Sequence, residues 1–443
     1  MGRLKIKRSD GRFAGFFGIF WVFLLASNFL CQPVSAQRRP PSRAGDEGLL
    51  GQMIGQPAPV ERELEPEHID PDEIPPPPDQ NYDELPVDEK QKKQRFAIGR
   101  ILLAGKFAGN QDIFDEYYTT YALARWTHWD NIASLQSFRK DLRNDFRRAK
   151  SGQVYDHLNA LVLNFMDKLV TGSYNQPAQV NAMLAIGDLN LVEPSMGTEA
   201  APLPDAMKAL GAAVENAELS DAIRAVAMIG ILRHAEAGIE DAAAQRSVAA
   251  AMLKLLAADV PTGPAGPGRE WILTQAAETL GFLGSVGDGN AVFNAMLKNV
   301  AETKRSFSTR SIVAKSLGRL NYAGVAGINP MKAAAVLAQF ATDACTDELQ
   351  LVKNTQNPVN RRRIKQRLDA VLSALNGEAG GNRKGIMSLA REQAQRKSLG
   401  ELRKSLGDLS ALLDDRRRAE DDMAPSVEQL RTKLEAWAKG TGF

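Results

Sequence analysis

From about residue 91 onward, apolar residues recur at steps of three and four, and no run alternates apolar with polar over strand length. The pattern predicts an all-α body over 91–443 with no sheet. Its first part, 91–175, is rich in aromatic residues. Phe114, Tyr117, Tyr118 and Tyr121 fall at i, i+3, i+4 and i+7, one face of a helix. Such a row is expected to be core; exposed, it would form a platform for stacking on sugar rings. Tyr117, Tyr121, Trp126 and Trp129 are therefore the candidate binding residues. At the other end, Leu399, Leu402, Leu406, Leu409 and Leu413 step by 3, 4, 3 and 4. Ser426 and Gln429 make a capping-box pair at the start of a helix with Val427, Leu430, Leu434 and Trp437 on one face and Gly440 at its end. These two helices, in the segment 385–443, are expected to cap the body or to bind a partner.

Between these parts a pattern repeats. "AMLAIGDL" (182–189), "AVAMIGIL" (225–232), "AAETLGFL" (276–283) and "VAKSLGRL" (313–320) align without gaps. In each, an Ala or Val, then an Ile or Leu, then a Leu share one helix face: Ala182, Ile186 and Leu189 in the first. Gly187, Gly230, Gly281 and Gly318 flank that face. An interior glycine costs a helix about 1 kcal/mol relative to alanine, so these are expected where a neighbouring helix approaches closely. The glycines are spaced by 43, 51 and 37 residues, and the long interval contains "PTGPAGPG" at 261–268. Periods near 40 built from helix pairs mark helical solenoids, in which stacking completes a core that one pair cannot bury alone.

The stretch 276–297, "AAETLGFLGSVGDGNAVFNAML", resembles a HEAT repeat of the phycobilisome-lyase type. Ala276, Leu280, Gly281, Leu283, Gly284, Gly287, Asp288, Ala291 and Val292 match its pattern, with Met296 one position late. The other copies lack the Gly-Asp turn. The resemblance implies a right-handed solenoid of antiparallel helix pairs over 176–384, with Asp288 bridging the hinge to the next helix. "RRRIKQRLDAVLSALNG" (361–377) reads as one further helix, with Leu368, Val371, Leu372 and Leu375 on its apolar face and Gly377 as its C-cap.

The amino terminus changes the picture. Arg3, Lys5, Lys7, Arg8 and Arg12 precede 18 uncharged residues, 13–30, and Val34 and Ala36 then offer a small-x-small cut before Gln37. Residues 1–36 are expected to be a cleaved export signal; uncleaved, the segment would anchor the chain in a membrane. Either outcome places the remainder outside the cytoplasm. The segment 37–90 holds 11 of the 22 prolines, and 12 acidic residues lie between Glu61 and Lys90. It buries too little apolar surface to offset the entropy of ordering and is expected to be a disordered spacer, or an acidic tether on a basic surface.

Candidate chemistry is sparse. Cys31 and Cys345 are the only cysteines, and cleavage would remove the first, so no disulfide framework is expected. His68, His128, His157 and His234 show no metal-site spacing; His128, between Trp126 and Trp129 and near Asp130, is expected to be a hydrogen-bonded structural histidine. The glycine-rich "GSVGDG" at 284–289 follows no strand, which excludes a nucleotide-binding reading. No catalytic residue, cofactor or metal is expected. A net charge of +2 gives no bias toward nucleic acid, although 361–443 holds 18 Lys and Arg against 12 Asp and Glu. The residues thus point to a non-enzymatic, exported scaffold for another protein. A glycan-binding module built on the aromatic region and an accessory subunit of an enzyme are the alternatives.

Overall fold

The computed structural model describes residues 82–443, apart from 150–151, 262, 264–265, 379–382, 419–421 and 442–443. The export signal, Cys31, His68 and the spacer as far as residue 81 lie outside the described residues. The described chain is all-helical, with fifteen α-helices: α1 (Arg95–Ala104), α2 (Gln111–Tyr117), α3 (Leu135–Ala149), α4 (Gln153–Thr171), α5 (Gln176–Asp188), α6 (Ala206–Glu215), α7 (Asp221–Ala237), α8 (Ala242–Ala257), α9 (Gly266–Leu283), α10 (Ala291–Ala301), α11 (Phe307–Leu317), α12 (Pro330–Thr355), α13 (Arg361–Asn376), α14 (Gln393–Asp414) and α15 (Ala424–Thr441). One correction concerns the absence of sheet. β1 (Asn190–Val192) and β2 (Ala201–Pro202) pair antiparallel between α5 and α6, too short to leave an alternating pattern.

Packing follows two rows. Helices α5, α7, α9, α11, α13 and α14 touch in succession, and α6, α8, α10, α12 and α15 form a second row. Across the rows, α6 packs on α7, α8 on α9, α10 on α11, α12 on α13 and α15 on α14. Helices in the middle are therefore covered on several sides. In α7 this shifts the core away from the expected face: Ala227, Met228 and Ile231 are fully buried while Ala225, Ile229 and Leu232 are half-buried. The expected residues Ala182, Ile186 and Leu189, and Val313, Leu317 and Leu320, are buried.

The small residues mark where the first row closes up. A β-carbon added at Gly187 would lie 3.3 Å from Gly230 Cα, and one at Gly281 would lie 3.1 Å from Ser316 O. At Gly318 it would lie 2.1 Å from Ser373 O on α13. The helix starts give a truer register than the gap-free alignment. Ser220 and Ser306 cap α7 and α11 through Ile223 N and Thr309 N. Four residues on, Arg224 and Arg310 donate from Nε to the last-turn carbonyls of the preceding helices, Val214 O and Val300 O. Six residues further stand Gly230 and Ser316. Ser316 is therefore the counterpart of Gly230, and Gly318, two positions later, faces the next helix instead.

At the hinge after α9, Gly287 adopts φ +78°, and a β-carbon there would lie 2.9 Å from Val292 N. The bridging role expected of Asp288 is a correction. Asp288 is exposed; the turn is closed by Val292 N donating to Val286 O and Asn290 N donating to Gly287 O, and Asn290 Nδ2 donates to Ala326 O in the loop after α11. Gly284 gives its backbone carbonyl to Asn321 N, and the Arg383 guanidinium occupies the space a side chain there would need.

In the tail, Leu399, Leu402, Leu406, Leu409 and Leu413 are buried on α14, and Val427, Leu430 and Leu434 on α15. Both helices pack on the last pair, α14 on α13 and α15 on α12. Helix α15 begins at Ala424, so Ser426 lies inside it and is not its cap; it runs to Thr441, past Gly440. Gly377 ends α13 as expected, with φ +88° and its N–H donating to Ser373 O.

Candidate functional site

The aromatic segment folds into α2, a π-turn over Tyr118–Ala122 and two short 3-10 turns over Ala124–Thr127 and Trp129–Ser134. Most of the row is core. Phe114, Tyr117, Tyr118, Tyr121 and Trp126 are all at most 6% exposed, which corrects the platform reading: Tyr117, Tyr121 and Trp126 present no free ring face to a sugar. The cause is α3, whose Leu135, Leu142 and Phe146 join the same core.

Beside this core lies a cleft of about 190 Å³, lined among others by Lys92, Arg95, Tyr117, Tyr121, Arg125 and Asp145. Asp145 is buried on α3, and its carboxylate accepts two hydrogen bonds from Arg95, at 2.7 and 2.8 Å, and one from Tyr118 Oη at 2.8 Å. Burial, then the charge of Asp145, holds the Tyr118 hydroxyl well above its ordinary pKa, so it remains a donor. The hydrogen bond to Asp145 raises Arg95 as well. Arg125 lies 3.9 Å over the Phe138 ring. The cleft is smaller than the roughly 300 Å³ at which ligand pockets begin, and its carboxylate is fully engaged. It works as an electrostatic pin between α1, α3 and the π-turn.

The second place of interest is His128, where the partners are not those expected from the neighbouring Asp130. The chain at 82–88, assigned by its composition to the spacer, lies across the turns as an extended strap. Asp83 N donates to Ser173 O at 2.6 Å, and Asp88 N donates to Thr120 O at 2.9 Å. Leu85 N donates to Thr127 Oγ1 at 2.9 Å, and Leu85 O accepts from His128 Nε2 at 2.7 Å. The Glu84 carboxylate takes the backbone N–H of Trp129 at 2.9 Å and faces His128 Nδ1 at 3.2 Å. The Tyr82 ring sits 5.7 Å from that of Trp129. Both nitrogens of His128 thus face acceptors, Leu85 O and the Glu84 carboxylate. The folded body therefore starts by residue 82, because backbone hydrogen bonds and one carboxylate hold what hydrophobicity alone would not.

The surface under the strap has hydrogen bonds of its own. Thr127 is fully buried, donating to Ala124 O, and its carbonyl accepts from Asn175 Nδ2 at 2.6 Å. Asn175 in turn caps α5 through Ala178 N. None of these contacts involves the strap.

The remaining candidates are dispersed. His157 pairs with Asp115 at 2.5 Å. His234 is buried on α7, where burial, then the charge of Arg233, lowers it to about 4. Cys345 is fully buried in α12, and burial raises its thiol to about 12. Among the described residues no group of three or more His, Cys, Asp or Glu could hold a metal ion, and no helix is long and apolar enough to cross a membrane. Among the described residues, the turns around 117–129 bring the candidate binding residues together. Comparison with known proteins finds neither a matching family model nor a matching curated protein.

Proposed function

We propose that this chain is an exported, non-enzymatic scaffold: a right-handed, HEAT-like solenoid that binds another extracytoplasmic protein along one of its helix rows. The observation that supports it most is the succession of helix pairs, α6/α7 to α12/α13, each packed on the next. Arrays of this kind offer long continuous surfaces, and protein binding is their usual work. The glycine contacts at 187/230 and 281/316 and the Ser-to-Arg spacing at 220/224 and 306/310 give the pairs a common plan. The glycan reading has no such support, since Trp126 is buried and the Trp129 ring lies against Tyr82.

The test is photo-crosslinking in intact cells, with the crosslinker placed in turn at exposed positions of the α6–α8–α10–α12 row and of the α7–α9–α11–α13 row. The scaffold reading expects one stoichiometric extracytoplasmic protein, captured from a single row. Capture of cytoplasmic proteins only, or scattered capture with no stoichiometric species, would overturn it.

A further inference from the structure

The strap over 82–88 has the contacts of a bound peptide rather than of a core element. None of its residues is buried, although Val87 packs against the edge of the hydrophobic core. Segments of that kind open at low free-energy cost. Its hold comes instead from the pattern of an extended ligand. Backbone groups pair at Asp83, Leu85 and Asp88, Glu84 is gripped by His128 and the Trp129 N–H, and Tyr82 packs on Trp129. The receiving surface is fixed from beneath by Thr127 and Asn175, so it is formed in advance of the peptide, which lowers the cost of binding.

We propose that the surface made by Thr120, Thr127, His128, Trp129 and Ser173 is a recognition groove for an extended acidic peptide carrying an aromatic residue two positions before a glutamate, and that the chain's own residues 82–88 occupy it until a partner's segment displaces them. The occupant in trans is a segment of a different protein rather than a second copy's strap. Directly after Asp88 the chain enters a 3-10 helix, Glu89–Gln94, that packs on α1 and α2 of the same chain, which holds the strap beside its own groove and favours that seat over another copy's. The cis strap competes at the effective concentration of a short tether, in the millimolar range, so the trans peptide must bring more contacts or a local excess. The inference is independent of the scaffold reading, because the groove lies outside both helix rows.

The experiment uses the full chain and a fluorescent peptide with the sequence of residues 79–90, followed by fluorescence anisotropy. Tyr82→Ala with Glu84→Ala weakens the strap without touching the groove. The proposal expects this double variant to bind the peptide at least tenfold more tightly than the unaltered chain. Adding His128→Ala should remove that gain, and so should changing the peptide's own tyrosine and glutamate to alanine. Circular dichroism melting checks each variant, and the double variant should stay within a few degrees of the unaltered chain. Three results overturn the proposal: no binding by a folded double variant, binding indifferent to His128→Ala, or unfolding of the double variant, which would make the strap part of the fold. A concentration-dependent dimer formed through the strap would also overturn it, in favour of exchange between copies.

Discussion

Replacing Gly318 by alanine adds one methyl group where the first helix row is tightest. The new carbon would lie 2.1 Å from Ser373 O, 2.6 Å from Ser373 C and 3.2 Å from Ala374 N. These are backbone atoms of α13, so no rotamer change relieves the clash. Gly318 itself has φ −66° and ψ −16°, which suits alanine, so conformational strain contributes nothing. The ends of α11 and α13 must move apart by more than an ångström. That loosens Leu317, Leu368 and Ala374, all fully buried, and disturbs Ser373 O, which accepts the Gly377 N–H that ends α13. Overpacking of this kind costs about 1 to 3 kcal/mol, and a backbone-to-backbone clash belongs at the upper end. Gly281→Ala meets Ser316 at 3.1 to 3.3 Å, so a shift of a few tenths of an ångström nearly offsets its helix-propensity gain of about 1 kcal/mol. Gly407 stands inside α14 with nothing within 4 Å of an added carbon, so Gly407→Ala should gain about 0.5 to 1 kcal/mol. Urea unfolding followed by circular dichroism should rank the variants Gly407→Ala, Gly281→Ala, Gly318→Ala from most to least stable. Equal midpoints for Gly318→Ala and Gly407→Ala would refute the close approach of α11 and α13.

Two further outcomes follow from buried polar groups. His234 titrates at about 4 in the folded chain against 6.5 when free. Protonation therefore favours unfolding: stability is complete above pH 6.5 and falls as pH drops toward 4, by about 3 kcal/mol in all. Urea midpoints between pH 7 and 4 should show this slope, and His234→Leu should flatten it; an unchanged slope would reject His234 as its source. Asp145→Ala strands the buried Tyr118 hydroxyl and removes both bonds of the Arg95 fork, a loss of about 2 to 3 kcal/mol. Tyr118→Phe in the Asp145→Ala background should then cost almost nothing, and additive losses in that double-mutant cycle would show that the two groups do not act together.

The helices and most of their buried faces were legible in the sequence because their signal is local. The leucines of α14, the core face of α13 and the small-residue contact at Gly187 and Gly230 can all be read within one turn or two. The register of α11 was not, because serine serves as well as glycine where Ser316 meets Gly281, and the glycine that fits the repeat pattern, Gly318, stands two positions later. The Ser-to-Arg spacing at 220/224 and 306/310 is the signal that would have found it. Nor was the strap legible. Tyr82, Leu85, Pro86 and Val87 carry no period between its three acidic residues, and its partners lie from 32 to 90 residues away in turns whose backbone positions no periodicity encodes. The β1–β2 hairpin was missed for a related reason, since two or three residues carry no period at all.

The basic character of the tail has a structural explanation that composition conceals. Arg361 donates to Leu412 O, Leu413 O and Asp415 O at the end of α14. Arg383 donates to Gly281 O and Phe282 O at the end of α9 and to Arg319 O beyond α11. Arg363 is paired with the buried Glu348 and Arg367 with Asp347, while Arg431 bridges Glu428 and Glu435. The last carbonyls of a helix have no partner within it, and a guanidinium satisfies two or three at once with a charge that suits the negative end of the helix dipole. The same solution recurs upstream, where Arg233 serves Gly187 O and Leu189 O at the end of α5 and Arg305 serves Ala258 O after α8. Arginine thus joins the end of one helix to its neighbour at several points of the chain, and in the tail Arg361 and Arg383 serve that task while Arg363, Arg367 and Arg431 pair with carboxylates. In the strap over 82–88 the complementary arrangement appears, with a histidine rather than an arginine facing the glutamate.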